Sequence, residues 1–274
     1  MPPSRRRPIS APRVAETIAA TLRERILSST AGDAYRLPTQ EQLVEEFGVS
    51  YPSVREALRI LETEGLVTVR RGNVGGGEVH RPDSASSAYH LGLVLQAERV
   101  TLGDLAGGLR LFEPLCAAEC ARRPDRLTAV VPILRANIET SVQLVGTEVA
   151  FTQTAREFHE LVVALTPNAT VRTVVSSLVA LWSAQEVRWA ELLTSQGRYP
   201  AEHNAQAVVR THRRILAEIE AGRAAEAERI ARAHLAATQA LLVDRFDDDV
   251  VNAASAKLWQ SESPGNPTRP TSRI

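Results

Sequence analysis

Cysteine and methionine are scarce in this chain, with two and one among 274 residues, and aromatic residues make up only 4%. Two cysteines cannot frame a disulfide-stapled fold. Cys116 and Cys120 stand four apart in a helical pattern, a poor geometry for a bridge, so they are expected to pack as small apolar groups. Long apolar runs are missing too. No stretch approaches the length of a membrane span, and the opening MPPSRRRPIS carries no apolar segment of signal-peptide type. The expectation is a cytoplasmic protein with no membrane partner. Charge excess is also lacking, with 32 basic residues against 32 acidic ones. Residues 1–82 hold 12 arginines, no lysine and 10 acidic residues, and the remainder holds 20 basic against 22 acidic. That asymmetry is too small to argue for nucleic-acid binding. Arrangement has to carry the case.

What is present is a chain 44% hydrophobic and long enough for two ordinary domains. Val14, Ile18, Leu22 and Ile26 mark a first amphipathic helix. Thr39 with Gln42 three residues later is a capping-box pattern and opens a short helix to about Phe47. Gly48 breaks it. Ser50 can cap a second helix, Pro52 suits its first turn, Val54, Leu58 and Leu61 make its apolar face, and Gly65 ends it. Two short helices joined by a tight turn form a helix-turn-helix. Val67 and Val69 then alternate with Thr68 and Arg70, the glycines at 72 and 75–77 supply a turn, and Glu78–His80 can return as a second strand. The unit reads as winged.

After Pro82 the pattern is helical throughout. Ser84–Ser87 reads as a linker, and helices are expected over 88–98, 101–122, 127–143, 147–165, 169–195, 201–221 and 223–245. The fold class is mainly α, with an N-terminal winged helix-turn-helix and a C-terminal all-α bundle. The expected boundaries are 1–82 for the winged unit, 83–100 for the linker and first bundle helix, 101–245 for the helical bundle, and 246–274 for a disordered tail.

A helix that projects Tyr51, Ser53, Arg55 and Arg59 from its front turns suits the major groove, where an arginine fork pairs with guanine or clamps phosphate. Thr39, Gln40, Glu41 and Ser50 stand at the two helix starts, whose N–H groups can hold phosphate. Arg70, Arg71, Gly75 and Gly76 suit a wing tip in a narrow minor groove. The plainer alternative pairs Arg55 and Arg59 with Glu56, Glu62 and Glu64 on a solvated face.

The run LPTQEQLVEEFGVSYPSVREALRILETEGLVTVRRGNVGGGEVH resembles the DNA-binding domain of the GntR family. The helical remainder resembles the FadR-type subfamily with its ligand-binding FCD domain. The resemblance implies a transcription regulator, a repressor by expectation, that binds a roughly palindromic double-stranded operator as a homodimer under the control of a small carboxylate. The family often has arginine where this chain has Glu41 and Tyr51, and only Arg55 keeps it, so the operator sequence is expected to differ.

His212 lies ten residues before Gly222 and His234 twelve after it. An antiparallel hairpin turning at Gly222 puts them at nearly one height. His159 sits on another helix, and imidazoles converging inside a bundle are a metal-site pattern, although three unrelated histidines fit the spacing as well. The resemblance adds that FCD domains carry D-x-x-F-H followed by two later histidines, which together bind a divalent metal. Phe158-His159, His212 and His234 match, while the aspartate position is Ala155. Zn²⁺ is the first expectation, then Ni²⁺ or Mn²⁺. Arg110 and Glu113 resemble the R-x-x-L-E pattern of the first FCD helix and, with Asn168, are the effector candidates. An Arg–Glu brace and a helix cap are their simpler roles. A metal-dependent enzyme built on the three histidines is the competing function.

Overall fold

The computed structural model describes residues 14–29, 36–69, 77–80, 84–195 and 203–254, with backbone only at 85, 148–149, 187–195, 203–204, 241–242 and 245. The chain divides into two compact units, Met1–Asp83 and Ser84–Ile274.

In the first unit, α1 (Val14–Ser28) buries Ile18, Leu22 and Ile26, which recur every fourth residue along one face. α2 (Gln40–Phe47) starts with the expected reciprocal cap: the Gln42 N–H donates to the Thr39 hydroxyl, and the Thr39 N–H donates to the Gln42 side chain. It ends at Gly48, whose φ of 62° is a left-handed conformation that a side chain would strain. α3 (Tyr51–Thr63) follows at once, and its buried Val54, Ala57, Leu58 and Leu61 pack on α1 and α2. Ser50 holds the N-cap position, but its hydroxyl meets the Ser53 hydroxyl and makes no cap bond to the backbone. β1 (Val67–Thr68) and β2 (Glu78–Val79) pair antiparallel, with Val67 opposite Val79. The two valines turn inward and close the small core.

The second unit is helical among its described residues. α4 (Ser84–Ala97) packs on α9 (Ala169–Ser195), and α5 (Leu102–Arg122) lies along α11 (Ala224–Phe246). α6 (Arg126–Ala129), α7 (Val131–Gln143), α8 (Glu148–Ala164) and α10 (His203–Glu220) complete the bundle. Pro114 inside α5 has no N–H, so the carbonyl of Arg110 loses its helical partner. The Arg232 guanidinium on α11 donates to that carbonyl instead. Cys116 and Cys120 are free and buried. Burial pushes their thiols up to about 11 and about 12, so they are inert packing groups.

Three expectations change. Ser84–Ser87 is the first turn of α4, because Ala88 drops wholly into the core and draws the small residues before it into the helix. The helix expected over 127–143 is two, parted at Val130, since Pro132 at the start of α7 can supply no N–H to continue a helix through it. The disordered-tail reading fails for residues 247–254. Val250 bridges Thr101, Val251 and Ala253 are buried, and Gln185 exchanges hydrogen bonds with the backbone of Asn252. The apolar Val250-Val251 pair outweighs the polar composition around it. Residues 255–274 lie outside the described residues.

Candidate functional site: an exposed helix front and a buried histidine cluster

α3 points its first turns outward, with Tyr51 47% exposed and Arg55 and Arg59 also exposed. The carboxylates that would neutralise this face are engaged elsewhere. Arg23 of α1 holds Glu64 by two bonds, at 2.8 and 2.5 Å. Glu62 accepts the Val69 N–H. Glu56 reaches Arg59 only at 3.8 Å with both side chains more than half exposed, a contact that contributes little. Thr39 and Gln40 are half-buried at the start of α2, Glu41 is exposed, and Ser50 and Ser53 share a 3.1 Å hydroxyl contact at the start of α3. Arg70, Arg71, Gly75 and Gly76 lie outside the described residues, between strands that end at Thr68 and resume at Glu78.

The second unit gathers three histidines. Gly222, at φ 72°, turns the chain from α10 into α11. The Nε2 atoms of His212 and His234 then stand 3.0 Å apart. His159 arrives from α8 with its ring centroid 5.2 Å from that of His234 and 5.3 Å from that of His212. Phe158 stacks on the His212 ring at 3.9 Å and 11°, fixing its plane. From α5, the buried Glu113 places a carboxylate oxygen 2.5 Å from His159 Nδ1.

Burial holds His212 well below the ordinary imidazole range, helped by the charges of its two neighbours. Burial and the charge of His159 bring His234 down to about 3. For His159 burial also works downward, but the charge and hydrogen bond of Glu113 outweigh it, so its pKa is raised. Two neutral imidazoles therefore face each other across 3.0 Å, and His212 Nδ1 is buried without a partner. One donor atom from each of the three histidines lies within 4.8 Å of the others. Ligand nitrogens around a tetrahedral ion at about 2.05 Å are roughly 3.3 Å apart, so the set fits a divalent metal that favours imidazole.

These shifts set a pH dependence for chelator-treated protein. Below about pH 6.5 the unfolded chain takes up protons that His212 and His234 refuse while folded, so stability falls as pH falls. His234 alone takes away about 2 kcal/mol by pH 5. The raised His159 works the other way, its contribution being complete below 6.5 and lost as pH rises through its folded value, and it offsets only part. Thermal melts at pH 7.5 and pH 5 should show the lower midpoint at pH 5. Equal or inverted midpoints would contradict neutral burial.

Comparison with known proteins matches residues 14–74 to the bacterial regulatory proteins of the gntR family and residues 109–237 to the FCD domain. The chain belongs to the GntR family. Its second unit is an FCD domain. The family is one of DNA-binding transcription regulators, not of enzymes, which removes the metal-enzyme alternative. The chain is 26% identical over 60% of its length to the HTH-type transcriptional repressor NanR of Salmonella newport and 25% identical over 64% to that of Citrobacter rodentium. It spans 63% and 67% of those relatives. A solved GntR structure from Streptococcus agalactiae shares the fold, with TM-score 0.58 and 19% identity over 82% of this chain and 98% of that one. Among the described residues, no helix is long and apolar enough to cross a membrane.

The remaining sequence candidates separate. The Arg110 guanidinium does not brace Glu113. It donates to the buried Gln239 of α11 at 3.1 Å, and the Gln239 amide nitrogen has no acceptor. Asn168 is exposed, and its side chain accepts the Val171 N–H at the start of α9, so it caps that helix and does not join the cluster. Ala155 sits half-buried one turn before His159. Its neighbours cannot replace a ligand there: the Thr154 hydroxyl donates to Ala150, and Glu157 accepts from Asn137. Sequence reasoning missed Gln239. No local spacing pointed to it, because its partner Arg110 lies on α5, 129 positions away.

Proposed function

We propose that this GntR-family protein is a ligand-responsive repressor. It binds a roughly palindromic operator as a homodimer, and a small organic acid held in the FCD domain beside a divalent metal changes its operator affinity. Arg55 and Arg59 read or clamp DNA from the front of α3, with Tyr51 altering the usual preference. Thr39, Gln40, Ser50 and Ser53 sit at helix starts suited to phosphate. His159, His212 and His234 hold the metal, Zn²⁺ before Ni²⁺ or Mn²⁺. When bound, the ion supplies a positive centre for an anionic ligand. Support for repression comes from the NanR relatives, which are named as repressors.

The observation that carries the ligand reading is the donor pair on α5 and α11. Arg110 has Gln239 as its side-chain acceptor, and beside it the buried Gln239 amide donor lacks one. A guanidinium that spends one N–H on Gln239, beside an amide N–H with no acceptor, suits a carboxylate. A ligand shifts DNA affinity only by its preference for one arrangement of the regulator over another. Titration of operator DNA with and without a panel of organic acids tests the reading. An active acid should change wild-type affinity by about 1–3 kcal/mol. Arg110→Ala should bind DNA normally and lose the response, and Arg55→Ala should weaken specific binding by about 1–3 kcal/mol with or without acid. An acid response that survives in Arg110→Ala would remove Arg110 as the anchor.

A further inference from the structure

Three neutral imidazoles bring no charge to a divalent ion, and an uncompensated double charge in a helical core is costly. The direct carboxylate position on α8 is Ala155, which offers nothing. The carboxylate that approaches the cluster comes from another helix. Glu113 on α5 is 6% exposed, and its Oε1 lies 2.5 Å from His159 Nδ1. Arg110, one turn earlier, leaves it alone and donates to Gln239. Glu113 is therefore a buried acid whose hydrogen-bond partner is the Nδ1 of a candidate metal ligand.

We propose that Glu113 is the positioning residue of the metal centre: it supplies from α5, one bond removed, the negative charge that α8 lacks at Ala155. It accepts the His159 Nδ1–H, which fixes the ring plane and the tautomer and leaves the Nε2 lone pair for the ion. The imidazole becomes a stronger donor because the carboxylate stabilises positive charge developing on it. The net charge of ion plus carboxylate equals that of a site with a carboxylate in direct contact. Glu113 thus belongs to the metal centre and not to the anion subsite, where its charge would repel a carboxylate. This inference rests on the reading of the three histidines as a metal site.

The test uses full-length protein stripped with a chelator and titrated with Zn²⁺ against a competing chelator, with circular dichroism as the folding check. Wild type should bind one Zn²⁺ per chain. Glu113→Gln keeps the shape and removes the charge, and it should weaken Zn²⁺ binding 10- to 100-fold. Adding Ala155→Asp to Glu113→Gln places a carboxylate one turn before His159 and should recover at least tenfold. Wild-type binding with an equally tight Glu113→Gln overturns the role of Glu113 and leaves the metal site standing. No Zn²⁺ on wild type overturns the site and this role together. Should Glu113→Gln fail to fold, imidazole ¹⁵N spectra of stripped wild type decide. A proton on His159 Nδ1 supports the assignment, and a bare Nδ1 overturns it.

Discussion

Phe158→Ala should lower the stability of the FCD domain by about 3–5 kcal/mol, and it should loosen the proposed metal centre as well. Phe158 is 1% exposed and among the largest fully buried side chains. One face of its ring lies against the His212 imidazole at 3.9 Å and 11°, and it stands perpendicular to the His159 ring at 5.9 Å. The ring therefore does two jobs: it fills the core between α8 and α10, and it fixes the plane of a histidine whose Nε2 must face His234. Alanine leaves a cavity that a bundle of this size only partly closes. For a unit near 190 residues each kcal/mol shifts the midpoint by roughly 2–4 °C, so the melting temperature should fall by about 10 °C. Phe158→Leu keeps most of the volume and loses the flat wall. It should recover most of the stability but not the metal affinity. A Phe158→Ala protein that melts within about 2 °C of wild type would show that the ring is not a core element.

The sequence made short-range structure readable and left long-range partnerships hidden. The Thr39–Gln42 box, the Gly48 turn and the face of α3 follow from residues within a few positions of one another, where helix geometry fixes who meets whom. The His212–His234 meeting was also legible, because one glycine turn makes height along a hairpin a matter of counting. Glu113 was different. It stands 46 positions from His159, and its proximity to Arg110 on its own helix suggested the wrong partner. The return of Val250–Ala253 to the bundle was hidden for the same reason: its partners, Thr101, Gln96 and Gln185, lie on distant segments. Local composition favoured disorder, and two buried apolar residues decided otherwise.

Leu61→Ala should make operator binding heat-labile through the fold of the first unit while leaving the proposed metal centre intact. Leu61 is wholly buried on α3, in a core cluster that also holds Leu22 and Ile26 of α1 and Leu43 of α2. That cluster is separate from the one that fills the FCD domain. Truncating a buried leucine costs about 2–5 kcal/mol, and a domain of this size has a total stability of roughly 4–10 kcal/mol. The loss therefore takes a large share of what holds α3 against α1, and the exposed arginines lose their platform. Arg55→Ala is the contrasting case, since it removes a contact and should leave the melting curve unchanged. Thermal unfolding of Leu61→Ala should show an early transition from the first unit, with Zn²⁺ content and the FCD transition at wild-type values. DNA affinity measured at rising temperature should decay along that early transition. If Zn²⁺ content falls with it, the two cores are coupled, and the effect of Leu61→Ala is not confined to the first unit.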